Sequence, residues 1–111
     1  MEPLPIRLAR MRSLALHRRV AERLREEPEL VAVASRRVAG WLQGDQPSRP
    51  YLERWRSVLE RPLEDLLAVL VEESEAADEL RAASPFAGLV DPRERWAIWA
   101  RTREAVVSER R

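Results

Sequence analysis

Apolar residues recur along this chain with the period of helices rather than of strands. Leu16, Val20 and Leu24 fall at i, i+4 and i+8, and Leu8, Met11 and Ala15 extend a neighbouring stripe. That spacing predicts a first helix from about Pro5 to Glu26. Glu26-Glu27-Pro28 breaks it, since the residue before a proline is pushed out of the helical region. Leu30, Ala34, Val38, Trp41 and Leu42 mark one face of a second helix over 28–42, and Gly44 is placed to cap it in the left-handed conformation. The turn Gly44–Arg49 leads to a third helix, about 50–60, with Leu52, Trp55, Val58 and Leu59 inward. Pro62 restarts the chain as a fourth, carrying Leu63, Leu66, Leu67, Leu70 and Val71. Residues 74–83 read as a shorter acidic helix or a kinked continuation.

A Pro/Gly loop over 85–90 precedes the best-marked helix start in the chain. Asp91 sits at the N-cap position, Pro92 at the first helical residue and Glu94 two further on, which is the arrangement of a capping box. Trp96, Trp99 and then Val106 or Val107 share a face of this last helix. No segment alternates apolar and polar residues between turn signals. The expectation is a single all-α domain spanning residues 1–111, with five or six helices in a bundle-like or orthogonal packing and with residues 1–6 and 108–111 frayed.

Composition supports this picture and narrows the function. A chain of 111 residues with 45% hydrophobic and 35% charged residues is sized and balanced for one folded domain. All 20 basic residues are arginine. Net charge is +1, but residues 1–50 hold ten Arg against six acids and the remainder ten Arg against 13. Cysteine is absent, which excludes disulfides and thiolate metal sites. The longest apolar run, Leu66 to Val71, is far too short to span a bilayer. With no clean apolar signal region near Met1, a cytoplasmic protein without membrane contact is expected.

Candidate chemistry is sparse. His17 is the only histidine, is expected half exposed on the first helix, and has no evident nucleophile beside it. Glu72, Glu73, Glu75, Asp78 and Glu79 cluster without a looped ligand pattern and read as solvated helix surface. Neither phosphate-binding glycine motif nor nucleophile elbow is present. A non-enzymatic protein without cofactor or metal is expected.

The segment Val38-Ala39-Gly40-Trp41-Leu42-Gln43-Gly44, followed by Pro50-Tyr51-Leu52-Glu53-Arg54-Trp55 and Arg61-Pro62-Leu63-Glu64, resembles the second half of the helix-turn-helix domain of phage-repressor-type regulators. The resemblance implies a recognition helix at 28–42, with Ser35, Arg36 and Arg37 near bases and Arg49 as a further nucleic-acid-binding candidate. The chain departs from the pattern upstream, where Glu26-Glu27-Pro28-Glu29 sets acids where phosphates would approach.

Ser13-Leu14-Ala15-Leu16-His17-Arg18, Trp41-Leu42, Trp55, Arg61-Pro62-Leu63-Glu64, Ser84-Pro85-Phe86-Ala87-Gly88 and Arg95-Trp96 together resemble a group of short bacterial proteins associated with the antitoxin side of toxin–antitoxin modules. That resemblance implies a module that neutralises a toxin encoded next door by direct contact; antitoxins often repress their own operons, so own operator DNA and a homodimer are further candidate partners. Trp41 and Trp55 are expected in the core. Phe86, Trp96 and Trp99 are the candidate partner-binding residues. For Phe86, an aromatic in a Pro/Gly loop, plugging the domain's own core and anchoring a partner both stay open.

Overall fold

A computed structural model describes residues 2–110. Six α-helices make up the described chain: α1 (Leu4–Glu26), α2 (Leu30–Leu42), α3 (Arg49–Leu59), α4 (Leu63–Val71), α5 (Glu75–Ala82) and α6 (Pro92–Ser108), with one 3-10 turn at Ala87–Leu89 between the last two. This is the expected all-α single domain. Helix α1 begins at Leu4 and α6 runs to Ser108.

α1 is the spine. At 23 residues it is about 34 Å long, and it packs against α4, α5 and α6. α6 runs antiparallel to it, tied by ion pairs at both ends: Arg19 with Glu94 and, 2.7 Å apart, Arg7 with Glu109. α2 lies mainly on α3, and α3 meets α4 and α5. Leu16, Val20 and Leu24 of α1 enclose one core with Val38 of α2, Trp55 of α3 and Leu66 and Leu70 of α4.

Helix ends depart from the local rules in two places. Gly44 is not left-handed, and no described residue has a positive φ. The C-terminal carbonyls of α2 are met by side chains instead: the Gln46 amide donates to Trp41 O at 3.0 Å and Arg49 Nη1 donates to Leu42 O at 2.8 Å. At α6, Asp91 accepts from the Arg93 N–H at 2.7 Å, as an N-cap should. Glu94, however, turns to Arg19 and leaves the capping box half formed. Ser74 caps α5 by accepting from Ala77 N at 3.1 Å.

The break between α4 and α5 is bridged by Arg81. Its guanidinium donates to Leu70 O and Glu72 O, at 3.2 and 2.8 Å, and to Asp78 Oδ1 at 2.6 Å. One buried side chain thus caps the end of α4 from the body of α5.

Trp55 and Phe86 form the centre of the core. Both are fully buried. The Trp55 indole N–H donates to Leu80 O at 2.8 Å, and the Phe86 ring meets the indole edge to face, with centroids 5.7 Å apart. Phe86 is therefore a plug on the domain's own core and not a surface anchor, a correction to its candidacy as a partner-binding residue. The geometry predicts that Phe86→Ala lowers unfolding free energy by about 3–5 kcal/mol in urea titrations, the range for deleting a buried aromatic ring. A loss below ~1 kcal/mol would show that the ring does not hold the connector in place.

A candidate binding groove between α1, α6 and the Ser84–Val90 connector

The connector from Ser84 to Val90 enters the core at Pro85 and Phe86 and again at Leu89 and Val90. A non-helical segment that dives inward carries carbonyls that lose their water, and each needs a donor. Three arginines from three helices supply them. Arg37 of α2 donates to Pro85 O at 3.1 Å, Arg95 of α6 donates to Ala87 O, and Arg23 of α1 donates to Leu89 O. Gly88 leaves room for one of these arms: a Cβ there would stand 3.1 Å from Arg37 Nη1.

His17 secures the start of the connector. It is buried, contrary to the half-exposed position expected on α1. Its Nδ1 lies 2.7 Å from Ser13 O and its Nε2 2.7 Å from Ser84 Oγ. A carbonyl can only accept, so Nδ1 carries the proton and Nε2 accepts from the Ser84 hydroxyl. Ser84 Oγ accepts in turn from Phe86 N at 3.0 Å. Burial pushes the imidazole pKa down to about 4; the Ser13 carbonyl opposes that shift and the Arg81 charge adds to it. A hydroxyl on an acceptor imidazole has the form of a nucleophilic pair, but a base this weak at neutral pH activates poorly. The hydroxyl instead serves as a latch between α1 and the Phe86 plug.

Above this latch lies an open groove of about 350 Å³. Ala9, Arg12, Ser13 and Leu16 line it from α1, Arg81 and Ala82 from α5, Ser84 and Ala87 from the connector, and Trp99 from α6. No carboxylate is among its lining residues. Arg12 and Arg95 both stack on the Trp99 ring, 5.6 and 5.9 Å from its centroid. Trp96 meets Trp99 edge to face at 5.9 Å and stands 70% exposed.

The sequence-derived candidates fall into three places. Trp96 and Trp99 come together on the outer face of α6, and Phe86 lies apart from them in the core. Ser35 and Arg36 are exposed on α2. Arg37 is engaged with the connector, and Arg49 with the end of α2 and, at 3.4 Å, with Glu53. The acidic residues around the α4–α5 break form no group suited to a metal ion among the described residues. Arg12, Arg81 and Ser84 were not evident as a group, because they sit 69 to 72 and three residues apart in the chain and converge only through the α1–α5 packing.

No protein-family model, curated protein or solved structure matches this chain. No helix among the described residues is long and apolar enough to cross a membrane.

The latch makes a pH prediction. His17 titrates near 6.5 when unfolded and about 4 when folded. Between those values the unfolded chain binds a proton that the folded chain does not, so stability falls as pH drops from about 6.5 to 4. The loss is on the order of 3 kcal/mol. Urea midpoints of the wild type and His17→Gln at pH 7, 5.5 and 4.5 isolate it, since carboxylates titrate alike in both. A shallower decline in the variant is expected; parallel declines would mean that the imidazole is not the source.

Proposed function

We propose that this protein is a non-enzymatic protein-binding module, antitoxin-like in action, that neutralises a cognate toxin by direct contact through the Trp96/Trp99 face of α6. The observation that carries this reading is the exposed Trp96 braced against Trp99. A large apolar ring kept in water is costly unless a partner covers it, and tryptophan is favoured among residues that dominate interface energies. Arg12 and Arg95 hold the Trp99 ring in place, so the face is preorganised and little order remains to be gained on binding. The exposed acids Glu72, Glu73, Glu75 and Glu79 give a second, negative region suited to steering a basic partner. The cytoplasm is the compartment in which such a partner would be met.

A second reading, a DNA-binding regulator that uses α2, is favoured by one observation: Ser35 and Arg36 stand exposed beside each other on that helix. Arg37 and Arg49, the other two residues of that surface, already serve internal carbonyls. The two readings are compatible in one protein, and a palindromic operator would call for a homodimer.

Co-expression with the product of the adjacent gene, followed by affinity capture, tests the first reading. A stable complex is expected, and Trp96→Ala should weaken it by about 2 kcal/mol, roughly 30-fold in Kd, without loss of helicity. A protein that stays alone, or binds equally well as Trp96→Ala, rules the face out. For the second reading, gel shifts on the DNA upstream of its own gene should weaken with salt and with Arg36→Ala. Arg36 is the cleaner probe because Arg37→Ala would also loosen the connector.

A further inference from the structure

The groove above the His17–Ser84 latch carries an inference that goes beyond protein docking. Arg81 is 3% exposed, and its Nη atoms are fully engaged with Leu70 O, Glu72 O and Asp78. Its Nε–H, also buried, has no acceptor. Arg12, on the opposite wall, likewise has a buried Nε–H without an acceptor, and no carboxylate among the described residues pairs with it. Buried donors without acceptors are rare in folded proteins, because each forfeits the hydrogen bonds it made in water. Arg95, which does not line the groove, has a third such Nε–H; the other two belong to residues lining one open groove that holds no acid of its own. The rest of the lining is the polar trio Ser13, His17 and Ser84 of the latch and an apolar part, Ala9, Leu16, Ala82, Ala87 and the Trp99 ring.

We propose that this groove is a binding site for a small apolar carboxylate with a flat body, of the size of a single-ring aromatic acid. The carboxylate would accept from the guanidinium of Arg12, with the buried Arg81 supplying positive charge from beneath the floor. The ring would lie against Trp99 and Leu16. The fit is one of volume as well as charge: about 350 Å³ is at the small end of ligand pockets. A lone phosphate or sulfate would leave the apolar walls wet, and a neutral ring would leave the arginine donors unmet. The same chemical group could reach the groove as a free acid or as the C-terminal residue of another protein chain.

The probe is 3-phenylpropionate, added to the full chain and followed by the Trp99 indole resonance and by tryptophan fluorescence. An acid of this size is expected to bind with a Kd of about 1 mM. Binding should be at least about tenfold weaker for 3-phenylpropionamide, which keeps the shape and removes the charge, and for Arg12→Gln with unchanged helicity. Arg12 is chosen because Arg81 also holds α4 to α5, and its loss would confuse binding with folding. N-acetyl-phenylalanine separates the two sources: tighter binding than 3-phenylpropionate identifies a chain terminus as the natural ligand, and weaker binding a free acid. No saturable shift with either acid overturns the proposal, as does equal binding of acid and amide or indifference to Arg12→Gln. Trp96 does not line the groove, so capture lost in Trp96→Ala with 3-phenylpropionate binding retained, or the reverse, lets the two readings fail separately.

Discussion

A connector that is not helical but must pass through a helical core sets the terms for the rest of this protein. Burying Phe86 against Trp55 gains the packing of two aromatic rings, but it draws Pro85 and Phe86, and again Leu89 and Val90, out of water. Each carbonyl along that path must then find a donor within the fold. Arg37, Arg95 and Arg23 meet the carbonyls of Pro85, Ala87 and Leu89, the Leu89 N–H meets that of Phe86, and the His17–Ser84–Phe86 chain of hydrogen bonds fixes where the connector begins. Four helices are thereby positioned by a segment of seven residues. The planar, permanently charged guanidinium on a long stem suits this work, since it can reach inward while its stem packs on apolar neighbours.

The same demand explains why the arginines are not a uniform basic surface. Some reach carbonyls, some pair with acids along the α1–α6 seam, and two stack on Trp99. Charge that looks available in the linear chain is largely consumed by the fold. Arg37 and Arg49 lose their freedom to meet DNA in this way, while Arg12 and the Nε edge of Arg81 keep unspent hydrogen-bonding capacity next to the groove.

Much of the architecture was legible in the chain because it rests on short-range physics. Prolines at helix starts, apolar stripes at the helical period and the Asp91 cap locate the helices to within a residue or two. The failures have a common cause in long-range competition. Gly44 has the right residue type for a left-handed cap, but Gln46 and Arg49 satisfy the same carbonyls first. Glu94 stands where a capping box wants it, but Arg19 from the far end of the molecule offers a better partner. His17 lies beside Arg18 on a helix, and nothing within ten residues hints that Ser84, 67 residues on, will close over it. For Phe86 a Pro/Gly loop looks alike whether its aromatic turns inward or outward, and Trp55 decides. Trp96 and Trp99 were visible as a face, whereas the groove beside them was not, since its walls come from α1, α5 and the connector.

The antiparallel seam between α1 and α6 has a consequence for how the molecule comes into being. Arg7 and Glu109 are 102 residues apart in the chain and 2.7 Å apart in space. During synthesis the spine is made first and the helix that covers its flank last. Until α6 emerges, the side of α1 that carries Ala15 and Arg19 lacks its cover, and Arg23 and Arg37 can grip the connector only after it too has been made. Closure of this domain is therefore a late, non-local event that joins the two ends of the chain, and a nascent chain waiting for it would present apolar surface to whatever partner stood nearby.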